Sequence, residues 1–73
     1  MPQAIEENFT SDDRTLMRFL INFVQIPPHQ AEDCVALWRP TYLGLAKKVQ
    51  AELLSDKGLS AELVAEIKSY ELK

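Results

Sequence analysis

Between Leu16 and Ile26 the chain reads LMRFLINFVQI, and its only polar residues there, Arg18, Asn22 and Gln25, fall four and then three positions apart. That spacing fits a helix. At about 100° per residue the three polar residues share one narrow stripe, and Leu16, Met17, Phe19, Leu20, Ile21, Phe23, Val24 and Ile26 fill the remaining arc of roughly 220°. A helix apolar over so wide an arc needs cover from more than one side. In a chain of 73 residues, whose core is marginal by size alone, this predicts a helical domain that completes its burial against a partner protein or a second copy of itself.

The flanking residues bound this helix. Thr10 or Ser11 can cap its start, Asp12 and Asp13 place carboxylates in the first turn where the helix dipole favours them, and Phe9 can fold back as a hydrophobic staple. Pro27 and Pro28 lack backbone donors and push the preceding residue toward extended conformations, so the helix ends near Ile26 and a stiff corner of Pro27, Pro28 and His29 follows. Residues Met1 to Asn8 show no periodicity and read as a mobile tail in which Ile5 is the isolated apolar residue.

A second apolar stripe begins after the corner and runs through Ala31, Cys34, Val35, Trp38, Tyr42, Leu45, Ala46, Val49 and Leu53, in steps of three and four apart from the adjacent pairs Cys34–Val35 and Leu45–Ala46. Its phase survives Pro40, which lies nearly opposite the stripe on a solvent face with Asp33, Gly44 and Lys47. The pattern therefore predicts one long helix, Gln30 to about Ser55, kinked at Pro40. The alternative is a break at Arg39, with Pro40 opening a new helix. Ser55 to Gly58 reads as a helix end with Gly58 in the left-handed conformation, and Ser60 as the next cap, with Leu59 packing on Val64. A third helix, Ala61 to about Glu71, offers a narrow stripe of Leu63, Val64, Ile67 and Tyr70. The expected fold is all-α: a small three-helix up-down bundle with a long second helix kinked at Pro40, self-associating, comprising a tail at residues 1–9 and one helical domain at residues 10–73.

Composition narrows the function. The single cysteine, Cys34, cannot close an intramolecular disulfide, and the N-terminal residues form neither a basic n-region nor an apolar signal, so a cytoplasmic protein is expected. The Leu16 to Ile26 block is too short for a membrane span. Net charge is −3, and the eight Lys and Arg residues are scattered rather than striped, which disfavours nucleic acid. A helix-turn-helix fares poorly because Pro27 and Pro28 occupy the corner, and the last helix shows a mixed face of Glu62, Glu66, Lys68 and Ser69.

No catalytic, cofactor or metal site is expected. His29, Glu32, Asp33 and Cys34 are ligand types, yet His29 and Cys34 stand about 140° apart on a helix and do not converge. Cys34 lies on the apolar stripe, away from the positive charge that activates a thiolate. Glu6, Glu7, Asp12 and Asp13 read as tail and cap, and the two glycines, Gly44 and Gly58, make no phosphate loop. Lys47 and Lys48 read as a solvated face. Trp38 is expected first as a core anchor between the first two helices and, at its exposed edge, as part of a hot spot. The candidate partner-binding residues are Met17, Leu20, Ile21, Val24, Trp38 and Tyr42, with uncovered surface expected near Met17, Ile21 and Val24.

The segment Val35-Ala36-Leu37-Trp38-Arg39-Pro40, followed by a helix and then by Gly58-Leu59-Ser60 before a short final helix, resembles the small delta subunit of cytoplasmic NAD-dependent, molybdenum-containing formate dehydrogenases. In that family an apolar-rich N-terminal helix with an early Met and Arg precedes an aromatic-Trp-Asp-Pro turn. Leu16, Met17, Arg18 and Leu37 to Pro40 match that order and rough spacing, and the resemblance spans most of Leu16 to Leu72. Arg39 stands where the family carries an acidic residue, and Thr41, Tyr42 and Leu43 stand where it carries basic ones. The resemblance implies a non-catalytic accessory subunit that helps assembly or cofactor insertion in a larger enzyme. The residues themselves leave three readings open: an interaction module or accessory subunit, a phage- or plasmid-encoded regulator that binds a host protein, and, more weakly, a DNA-binding repressor.

Overall fold

The computed structural model describes residues 9–73, so the expected mobile tail, Met1 to Asn8, lies outside the described residues. Three helices account for the fold, and no strand occurs among the described residues: α1 (Ser11–Phe19), continued by a π-helical stretch (Leu20–Val24), α2 (Pro28–Leu54) and α3 (Ala61–Ser69).

Local side-chain chemistry fixes the start of α1. The Thr10 hydroxyl accepts from the Asp13 backbone N–H, and the Asp13 carboxylate accepts from the Thr10 N–H, both at 3.1 Å, which is a complete capping box. Phe9 packs against the core beside it. At the other end the wider π-helical turn closes on Leu20, whose carbonyl accepts from the N–H groups of Gln25 and Ile26. Gln25 takes the left-handed conformation (φ 68°, ψ 38°) and turns the chain into Pro27. Arg18, Asn22 and Gln25 all face solvent, as the wheel requires, and every apolar residue from Leu16 to Ile26 is buried or half-buried. The wide apolar arc is thus covered within one chain to a greater degree than its width predicts.

That cover comes from α2 and α3. Leu16, Phe19 and Leu20 meet Val35 and Ala46 of α2 and Ile67 of α3 in one buried cluster. Consecutive helices pack side by side. Asp13 at the start of α1 meets Arg39 midway along α2, as an antiparallel first pair requires, and Gln50 of α2 donates to the carbonyls of Ile67 and Tyr70 at the end of α3, at 3.0 and 2.9 Å. The rings of Phe19, Phe23 and Tyr70 form a triad with centroids 5.0 to 5.5 Å apart. Asn22 Nδ2 donates to the Tyr70 hydroxyl at 3.1 Å, fastening the end of α3 to the end of α1. The molecule is drawn out along α2, with a long axis of 44 Å.

Two expectations need correction, the start of α2 and the conformation of Gly58. The α2 helix begins at Pro28 rather than Gln30, because a proline at the first helical position loses only a donor that has no helical partner. The kink expected at Pro40 is present: the non-helical residue is Trp38 (φ −133°, ψ 37°), in the turn before a proline that supplies no N–H and whose ring disfavours regular helix behind it. Gly58 is not left-handed. Its N–H donates to Asp56 Oδ1 at 2.8 Å, and α2 ends on Ser55 in the ordinary right-handed conformation. Ser60 does cap α3, accepting from the Leu63 N–H at 3.2 Å.

Candidate functional site

The kink decides which apolar side chains reach water. Along α2 the buried residues are Ala31, Val35 and Ala46, and Arg39 rather than Trp38 continues that line across the kink. Once Trp38 leaves helical geometry, the wheel drawn through it no longer applies. Its side chain projects outward, 62% exposed, beside Leu37 at 71%, and one helical face further on Leu45 is 38% exposed. These three are the large exposed apolar residues among those described. The expectation of Trp38 as a core anchor is therefore overturned, although its place at an exposed edge stands.

The other candidate residues fall elsewhere. Leu20 is completely buried and belongs to the core, so it forms no part of a surface. Met17 and Val24 are half-buried and packed on the core, and Ile21 is half-buried. The uncovered apolar surface thus lies at the α2 kink and not along α1. Tyr42 is half-buried and packs on the core. A hydrogen bond with the Cys34 thiol, the charge that thiol takes when ionised, and slight desolvation raise the Tyr42 pKa. Leu37 was missed by sequence reading because it lies off the apolar stripe. Its signal was Pro40, which disturbs the turn before it.

Arg39 holds the kink in place. Its Nε donates to Asp13 Oδ1 at 2.6 Å, and its Nη2 donates to the Lys73 carbonyl, so the start of α1 and the end of the described chain both close on it. Burial raises the Asp13 pKa, yet the Arg39 hydrogen bond, the Thr10 N–H and the Arg39 charge outweigh it and hold the carboxyl below its ordinary value of 3.8.

Among the described residues, open grooves flank α1 on two sides. One, of about 280 Å³, is lined by Phe9, Arg14, Met17, Arg18 and Glu32; the other, of about 270 Å³, by Thr15, Arg18, Glu66, Ser69 and Tyr70. Among the described residues no group of three or more His, Cys, Asp or Glu is placed to hold a metal ion, and no helix is long and apolar enough to cross a membrane. Comparison of the chain with protein-family models, with curated proteins and with solved structures finds no match.

Proposed function

We propose that this protein is a small non-catalytic helical interaction module of the cytoplasm, which works by burying the α2 kink, Leu37 with Trp38 foremost, against another protein surface. The observation that carries this reading is the 62% exposure of Trp38 beside the still more exposed Leu37, in a fold that covers its other large apolar residues much better. Large aromatic side chains contribute most of the energy at protein interfaces, and a tryptophan left in water on a small domain is costly unless association covers it. The Trp-x-Pro segment behind the resemblance to a formate dehydrogenase delta subunit is this same kink, which supports an accessory-subunit role within a larger assembly.

Affinity capture from the native host, with the wild-type chain and Trp38→Ala compared by mass spectrometry, tests the reading. A stoichiometric partner, or a second copy, retained by the wild type and lost by the variant is the expected result. Recovery of no such partner, together with a monomeric mass in solution, would defeat it.

A further inference from the structure

Three parts of the fold meet at Arg39. Its Nε donates to Asp13 Oδ1 in the first turn of α1 at 2.6 Å, and its Nη2 donates to the main-chain carbonyl of Lys73. Lys73 belongs to a short strap, residues 70–73, which leaves helical geometry at Tyr70 (φ −79°, ψ 108°) and crosses toward the start of α1. The strap is held along its length. Gln50 Nε2 donates to the Tyr70 carbonyl at 2.9 Å, Asn22 donates to the Tyr70 hydroxyl, and Leu72 is half-buried against the core.

Pro40 loosens the turn before it without choosing which side chain of that turn faces the bundle. On a regular helix Trp38 and Arg39 stand on opposite sides of the buried Val35, about 60° and about 40° away, so both border the buried line. In the structure Trp38 is non-helical, Arg39 alone keeps that border, and Trp38 is 62% exposed. Arg39 is held in place by acceptors at two different nitrogens, which together fix the plane of its guanidinium; the Asp13 bond alone leaves the group free to pivot. Returned to helical geometry, Trp38 falls on the wheel between Ala31 and Cys34, which are buried and half-buried.

We infer that, granted the docking role of Trp38 proposed above, the strap of residues 70–73 is a latch that regulates it. With the strap docked, the Lys73 carbonyl joins Asp13 in fixing Arg39, and Trp38 points outward. With the strap released, the turn before Pro40 regains helical geometry and draws Trp38 toward the bundle. The turn is thus a two-state element whose balance is set by a contact the docking partner does not touch. The strap is the part that opens first, because one hydrogen bond to a main-chain carbonyl and a half-buried leucine hold its end, while Asp13 is fixed within α1 by the capping box.

Emission and acrylamide quenching of Trp38, the one tryptophan, test the latch with no partner present. Leu72→Gln loosens the strap outside every helix and leaves the Asp13 pair and the Thr10 cap in place, whereas Arg39→Met removes both of the bonds that fix the turn. The expected result in each variant, with the helices intact by circular dichroism, is emission shifted to the blue and weaker quenching than in the wild type, with the larger change in Arg39→Met. If Arg39→Met loses its helices, Leu72→Gln decides alone. Unchanged quenching in Leu72→Gln, or stronger quenching, would overturn the latch. Loss of the helices in both variants would make the strap a structural brace and overturn it as well. Unchanged quenching in a chain that still captures a partner through Trp38 would overturn the latch alone and leave the docking role standing.

Discussion

Arg39 Nε lies 2.6 Å from Asp13 Oδ1, so the residue after the kinked Trp38 is tied to the first turn of α1 across twenty-six positions of sequence. The same carboxylate completes the capping box with Thr10. One side chain thus starts α1 and anchors the kink, which couples the exposure of Leu37 and Trp38 to the packing of the bundle.

Replacing Arg39 by Met keeps its apolar stem and removes its charge. The Asp13 side chain is only 15% exposed, so the loss at pH 7 is about 1–2 kcal/mol, above that of a fully solvated pair. The folded pKa of Asp13 is depressed, so its contribution is complete above the unfolded value near 3.8 and disappears as pH falls through the folded one. Urea denaturation at pH 7 and below pH 3.8 shows a gap between wild type and variant that narrows in acid. A gap independent of pH contradicts the role assigned to Asp13.

Phe23→Asp and Asn22→Asp are adjacent changes with unlike outcomes. Phe23 packs on the core and against the rings of Phe19 and Tyr70, so a carboxylate there costs about 3 kcal/mol or more, a large share of a small domain's stability. Asn22 is exposed, and although its amide donates to the Tyr70 hydroxyl, a carboxylate in its place accepts from that hydroxyl with the direction reversed, which keeps the loss within about 1 kcal/mol. Equal losses in thermal denaturation would show that the assigned face of α1 is wrong.

Tyr70 separates ring packing from hydrogen bonding. Tyr70→Phe removes the Asn22 bond and leaves both edge-on ring contacts, at a cost of about 1 kcal/mol or less. Tyr70→Ala removes the ring as well and costs about 3 kcal/mol. Urea midpoints of the two variants give the comparison, and similar midpoints would contradict the triad's place in the core.

At the α2–α3 connection, Gly58→Ala costs only about 0.5 kcal/mol, since the backbone there is not left-handed and the new Cβ, 3.3 Å from Asp56 Oδ1, asks only a small shift of the carboxylate that accepts from the residue-58 N–H. Ser60→Ala costs about 1 kcal/mol by removing the α3 cap. Thermal denaturation of both checks the order, and the reverse order would restore the left-handed glycine.

What the sequence made legible was local. Thr10 and Ser60 are caps because a short side chain reaches a backbone N–H three residues on, and the exposure of Arg18, Asn22 and Gln25 follows from helical period alone. The Asp13–Arg39 pair was not legible, because nothing local joins residues so far apart. Trp38 was misplaced for a different reason: its apolar phase matched the stripe, but that phase assumed unbroken helical geometry through the turn before Pro40, where Trp38 departs from it. The π-helical turn after Phe19 and the left-handed Gln25 likewise have no periodic signature. The wide arc of α1 was read correctly as needing more than one covering helix, whereas the surface left uncovered lay on α2.

The kink carries the functional account, and the emission of its single tryptophan in dilute protein tests it most directly. Trp38 emission close to that of the urea-unfolded chain, with comparable acrylamide quenching while circular dichroism shows the helices intact, is the predicted result. Blue-shifted, quencher-protected emission in the dilute monomer would place Trp38 in the core and contradict the account.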